Sequence, residues 1–216
     1  ILLPSAGTRL NICMDVIRQI DLDFSNNDWT KIRQMYQGLV TRLDEGKLQR
    51  EEVTSYGSER YRIGKDGTAG SLLVDDQHTE QKWVSWCGRL LEDMAPQFRD
   101  IGRMMQQDGL EFVTLTYNRI HGSIGKHSDG KAPGDAPRGQ CNINYIIDCN
   151  DPHAETRALM PDGKVQWYPS QPGTAWCLDT SVPHWVSCRG HREFIQLCVH
   201  ENLDRVVSWF DDYKTR

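Results

Sequence analysis

The stretch Pro172-Gly173-Thr174-Ala175-Trp176-Cys177-Leu178-Asp179-Thr180-Ser181-Val182-Pro183-His184, with Glu193-Phe194-Ile195-Gln196-Leu197-Cys198-Val199 after it, decides the fold. A Pro-Gly turn opens a short run, Thr174 to Leu178, and a second run, Glu193 to Val199, mixes β-branched and aromatic residues as strands do. Working outward, runs of the same character cover Phe112 to Ile120, Gln140 to Ile147 and Lys164 to Tyr168, separated by glycine and proline turns. Closely spaced short strands predict a sandwich or barrel, here a mainly β jelly-roll (cupin-like) core.

Ahead of residue 109 the character is different. Ile20, Leu22 and Phe24 alternate with polar residues and suggest a short strand, and Ser25-Asn26-Asn27 offers caps for a helix. That helix carries Trp29, Ile32, Tyr36, Leu39 and Leu43 on one face and ends at Gly46. The polar, glycine-rich stretch Lys47 to Gln77 reads as a lid or an extended hairpin. A second helix is expected from Thr79, carrying Trp83, Trp86, Leu90 and Leu91, and a third from Pro96 to about Gly109. The expected organisation is one domain over residues 1–216: helical support and a polar insert (1–109), a β core (110–200) and a C-terminal tail (201–216).

The 216 residues suit one medium-sized domain, and the formal net charge of −5 gives no general basic field for phosphates or anionic lipids. A nucleic-acid partner is therefore not expected. No apolar run approaches the roughly 20 residues that span a bilayer, and Ile1-Leu2-Leu3-Pro4 carries no basic leader, so a cytoplasmic protein with no membrane partner is expected. The seven cysteines are odd in number and never form C-x-x-C, which argues for buried free thiols rather than a disulfide framework or a thiolate zinc site. Neither a phosphate-cradling glycine loop nor a G-x-S-x-G nucleophile turn is present.

Three side chains carry the chemistry. In His127-Ser128-Asp129 an imidazole and a carboxylate stand two residues apart, so extended backbone projects both to one side. His184 ends the Pro172 stretch, as a strand delivering a ligand would. Two imidazoles and a carboxylate on one face of a metal leave three positions open, enough for a chelating oxo-acid and dioxygen. Arg192 opens the last strand, and a guanidinium fork pairs bidentately with a carboxylate. Arg189 is the alternative for that role. His191 competes with His184 as third ligand, but it adjoins Arg192 and would leave only Arg205 within reach of a carboxylate.

Residues Phe112 to His200 resemble the Fe(II)/2-oxoglutarate-dependent dioxygenases, through Tyr117 to Asp129 with its glycine-containing turn and H-x-D, and through Pro172-Gly173 to Asp179, Ser181, Pro183-His184-Trp185-Val186 and Arg192. The second half is similar to the prolyl-hydroxylase, aspartyl/asparaginyl β-hydroxylase-like and small amino-acid hydroxylase branches. The resemblance implies a double-stranded β-helix, Fe(II) on His127, Asp129 and His184, and 2-oxoglutarate held by Arg192. Dioxygen would then be consumed as 2-oxoglutarate is converted to succinate and carbon dioxide. It also implies a cofactor contact from Tyr117. In the strand Gln140 to Ile147 two registers compete: one turns Tyr145 to the cofactor, the other Asn142 and Asn144, and alternation admits only one set.

The implied substrate is a free amino acid, an amino-acid derivative or a peptide side chain. Arg119, Lys131 and Arg138 are candidates for meeting its carboxylate, and Asp129 favours hydroxylation over halogenation. Three other readings stand beside this one: a nucleic-acid demethylase of the same chemistry, a non-catalytic cupin-like metal- or ligand-binding module, and a zinc site around Cys149 and His153.

Overall fold

Alternation along three neighbouring strands sets the architecture. The computed structural model describes residues 15–22, 24, 27–51, 59–64, 69–75, 83–129 and 140–214. In chain order these form β1 (Ile17–Ile20), α1 (Trp29–Asp44), β2 (Gln49–Glu51), β3 (Glu59–Ile63), β4 (Gly70–Asp75), β5 (Trp83–Cys87), α2 (Arg89–Met94) and α3 (Pro96–Gln107). There follow β6 (Phe112–His121), β7 (Ile124–His127), β8 (Cys141–Cys149), β9 (Glu155–Leu159), β10 (Val165–Pro169), β11 (Ala175–Asp179), β12 (His184–Ser187), β13 (His191–Val199) and α4 (Leu203–Tyr213).

Nine strands make one sheet in the order β1-β11-β8-β13-β6-β5-β4-β3-β2, and β10-β9-β12-β7 make a second. Every pairing is antiparallel. On the central strands Leu115 and Tyr117, Ile143 and Tyr145, and Ile195 and Leu197 share one core with Ile32, Tyr36, Leu91, Phe98, Met105 and Phe210 of the helices. Each such side chain, fully buried, contributes about 1.5–3 kcal/mol of transfer free energy. The alternate residues, among them Asn142, Asn144, Phe194 and Gln196, face the other way and line the space between the sheets. The fold is a double-stranded β-helix with helices backing its larger sheet.

The helix expected from Thr79 is not what Trp83 to Cys87 form. Trp83, Trp86, Leu90 and Leu91 fit a helical face, but Val84 and Trp86 also alternate, and β5 is paired on both sides, with β4 and β6. Gly88 then breaks the strand at φ +116°, a conformation L side chains rarely adopt, with no room for a Cβ against Gly70. Only α2 and α3 follow. Strand pairing thus begins well before residue 109: within Lys47 to Gln77, β2, β3 and β4 form an antiparallel meander that widens the large sheet.

Smaller differences have equally local causes. The first strand is Ile17–Ile20, hydrogen-bonded to β11, and the cap of α1 is Asp28, whose carboxylate accepts from the Lys31 N–H at 3.0 Å. The tail after residue 200 contains α4, capped by Asn202 and packed through Val206, Trp209 and Phe210. The described cysteines are free thiols, with Cys141, Cys177 and Cys188 buried. Among the described residues no helix is long and apolar enough to cross a membrane.

Candidate active site

The candidate metal ligands come together because β7 and β12 are neighbours in the small sheet. His127 ends β7 and His184 begins β12; they are direct cross-strand partners, with ring centroids 4.3 Å apart. Asp129 follows two residues after His127, its N–H donating to the Thr180 carbonyl at 2.8 Å. Its Oδ1 lies 3.6 Å from His127 Nε2 and 3.9 Å from His184 Nε2. The other ring nitrogens sit on backbone carbonyls: His127 Nδ1 is 2.8 Å from Gly125 O and His184 Nδ1 is 3.0 Å from Val182 O. A carbonyl can only accept, so each Nδ1 carries the proton and each Nε2 turns its lone pair to the common point.

Burial lowers the proton affinity of His184, against the upward pull of the Asp129 carboxylate, and so favours the neutral imidazole that a metal needs. The amide of Asn142 donates from Nδ2 to Asp129 Oδ2 at 3.2 Å and steadies the carboxylate from behind.

These groups open into a cavity between the sheets, which Arg192 also lines. Arg192 is 5% exposed. Its Nη1 donates to Thr156 Oγ1 at 2.9 Å, and the guanidinium stacks 4.6 Å from the Phe194 ring centroid. Its buried Nε has no hydrogen-bond partner, and no carboxylate among the described residues pairs with it. Desolvation pulls its pKa down. The cavity wall continues through Gln196, which donates to Asn144 Oδ1 at 3.0 Å, and Asn144, which donates to the Tyr168 hydroxyl at 3.2 Å.

Sequence reasoning left the β8 register open, and the structure resolves it: Asn142 and Asn144 face the cavity. Tyr145 therefore points to the helices, where its ring meets Phe24 at 5.0 Å, Trp29 at 5.8 Å and Phe98 at 5.9 Å. Tyr117 is likewise on the helical face, fully buried, its ring 4.9 Å from that of Tyr36. Arg119 has the same parity as Tyr117 and pairs with Glu193 at 3.5 Å instead of meeting a ligand at the mouth. All three corrections follow from the period of two along a strand. Lys131 and Arg138 lie outside the described residues.

Of the rivals, His191 faces away from the cavity, its Nε2 3.4 Å from Asp148 Oδ2, and Arg189 is exposed. Cys149 and His153 belong to neither of the two donor clusters that the described residues form. Thr156, Tyr168, Gln196 and Trp83 line the cavity and were not singled out from sequence. Gln196 could have been found, since it stands four residues after Arg192 on one strand. Thr156 lies on a strand too charged to be recognised.

The residues present fit a divalent metal and a dicarboxylate. The three donor atoms lie within 4.8 Å of one another, and two imidazoles with one carboxylate are the set that suits iron with open positions. A buried guanidinium with an unused N–H in the same cavity fits the distal carboxylate of an oxo-acid. Asn142 gives a direct check on the support of the metal. Asn142→Ala should weaken Fe(II) binding about 10–100-fold while leaving the fold intact, as loss of a second-layer partner does; anaerobic metal titration beside circular dichroism reads both.

No protein-family model matches the chain, and no curated protein matches it by sequence. Solved structures do. EvdMO1 superposes with a TM-score of 0.51 at 13% identity, over 88% of this chain and 48% of that one. AviO1 from Streptomyces viridochromogenes Tue57 gives 0.50 at 14% identity, over 88% of this chain and 92% of that one. A Pseudomonas putida prolyl-4-hydroxylase gives 0.47 at 15%, over 87% and 93%. At such identities the likeness is one of fold. The chain spans about half of EvdMO1 and nearly all of AviO1.

Proposed function

We propose that this chain is a non-haem Fe(II)- and 2-oxoglutarate-dependent dioxygenase that hydroxylates a free amino acid, an amino-acid derivative or a peptide side chain. The observation that carries this reading is one cavity holding both the His127–Asp129–His184 donor set and the buried guanidinium of Arg192. Fe(II) bound there with 2-oxoglutarate and dioxygen would supply an oxidant for an unactivated C–H bond, which no side chain can provide.

The protein's own residues bind and orient. His127, Asp129 and His184 would hold the metal and would leave it positions for other ligands. Arg192, with the Thr156 hydroxyl and Tyr168 beside it, would hold the distal carboxylate of 2-oxoglutarate. Asn144 and Gln196, joined to each other, offer neutral hydrogen bonds along the length of the cosubstrate. Ile124, Leu178, Val186 and Phe194 give the cavity apolar walls.

The test is succinate formation by anaerobically purified protein given Fe(II), 2-oxoglutarate and oxygen, with and without a panel of amino acids and peptides, beside His127→Ala and Arg192→Ala. Succinate that depends on both residues and rises with one panel member is the expected result. Failure to bind either iron or 2-oxoglutarate would overturn the oxygenase reading and leave a binding module.

A further inference from the structure

We propose that His121, His191 and Asp148 form a second divalent-cation site, on the face of the large sheet opposite the catalytic cavity. The register of β6 and β13 sets His121 directly opposite His191, so both imidazoles project from the same face. Their ring centroids are 5.6 Å apart. His127 and His184, also direct cross-strand partners, stand at 4.3 Å. His121 is exposed, so its imidazole has room to turn toward His191.

The third ligand comes from the next strand. Asp148 Oδ2 on β8 is 3.4 Å from His191 Nε2, and donor atoms of Asp148, His191 and Glu193 lie within 4.8 Å of one another. Glu193 is not the ligand. It is 2% exposed and bound by Arg33 Nε at 2.5 Å and Arg119 Nε at 3.5 Å. Its part is electrostatic. With Asp148 it cancels the two arginines, so that an arriving cation meets a neutral neighbourhood. Asp148 is the looser carboxylate, its side chain 45% exposed and 3.8 Å from Arg33 Nη2, and it is free to turn toward the two imidazoles.

The backbone beneath is held. The His191 N–H donates to Asn150 Oδ1 at 2.7 Å, and the Gly122 N–H donates to the Gly190 carbonyl at 2.8 Å. Two imidazole nitrogens and one carboxylate oxygen select Zn2+, Ni2+, Co2+ or Cu2+ over Mg2+ and Ca2+, with water completing the shell. Occupancy would pin β6, β13 and β8 together at the end of the sheet where Arg192, next to His191, faces the cavity.

Zinc titration of the whole chain, read by equilibrium dialysis and metal analysis, separates this site from the catalytic one. The expected result is two zinc ions per wild-type chain. One should be lost or weakened at least tenfold in His121→Gln and in His191→Gln, and the other lost in His127→Ala, with His200→Gln binding as wild type. The metal-free His121→Gln variant should melt as wild type does, since its side chain is exposed. If His121→Gln and His191→Gln bind as many zinc ions as wild type with the same affinity, the second site does not exist. Loss of zinc in His200→Gln as well would show scattered surface binding and overturn it equally. Neither outcome bears on the catalytic triad, which His127→Ala reports by itself.

Discussion

His184→Ala should abolish Fe(II) binding at the proposed iron site and reduce succinate formation to background, while the chain stays folded. Removing the supporting partner of a metal ligand costs about 10–100-fold in affinity, and deleting a ligand outright costs more. His184 is 6% exposed at the start of β12 and is paired across the strands with His127, so no neighbouring side chain can take its place. The remaining His127 and Asp129, with Oδ1 and Nε2 3.6 Å apart, form a two-donor fragment. Anaerobic Fe(II) titration by calorimetry checks the first part, and unchanged far-ultraviolet circular dichroism checks the second. Wild-type affinity in the variant would remove His184 from the ligand set.

The same side chain fixes the pH dependence. Metal and proton compete for Nε2, and burial lowers the proton's hold on His184 below the ordinary value of 6.5. The neutral, metal-binding form therefore persists into more acidic solution than it would for an exposed histidine. Fe(II) binding should be constant above neutrality and fall only as the pH drops below about 6.5.

The grouping of His127, Asp129 and His184 was legible in strand spacing and donor chemistry together with the family resemblance, and Arg192 in its place at a strand start eight residues after His184. Parity was harder. Tyr117 and Tyr145 could serve either as cofactor contacts or as core, and in a strand between a helical layer and a cavity both faces accept an aromatic ring. What decides is the whole row: Leu115 with Tyr117 and Ile143 with Tyr145 complete a hydrophobic surface for Phe98 and Tyr36. The polar residues between them then have nowhere to go but the cavity. β7 and β12 are only four residues long, and β9, Glu155-Thr156-Arg157-Ala158-Leu159, carries charge on its outward face, so neither length nor pattern marks them. Strand β5 was hidden differently: Trp83, Trp86, Leu90 and Leu91 are spaced as on a helix, Val84 and Trp86 as on a strand, and only partners on either side choose between them.

Arg192→Met should leave the ligand-free protein at least as stable as wild type and remove its response to 2-oxoglutarate. A buried guanidinium without a carboxylate costs several kcal/mol in lost hydration. The Thr156 hydroxyl and the Phe194 ring offset part of that, but Nε stays without a partner. A linear apolar side chain fills similar space with nothing to desolvate. Such a cost is retained where function needs the charge. Wild-type protein loaded with manganese(II), which avoids turnover, should gain about 2.7 kcal/mol at 2-oxoglutarate one hundred times above its Kd. For a chain of this size that is a rise in Tm of roughly 5–11 °C. Arg192→Met should show no rise. Arg192→Lys should show a small one, because a point charge cannot make the paired contact of a guanidinium fork. Thermal melts of the three proteins with and without 2-oxoglutarate decide the matter. A variant that melts far below wild type would make Arg192 a structural residue, and one that keeps the full shift would move the carboxylate site elsewhere in the cavity.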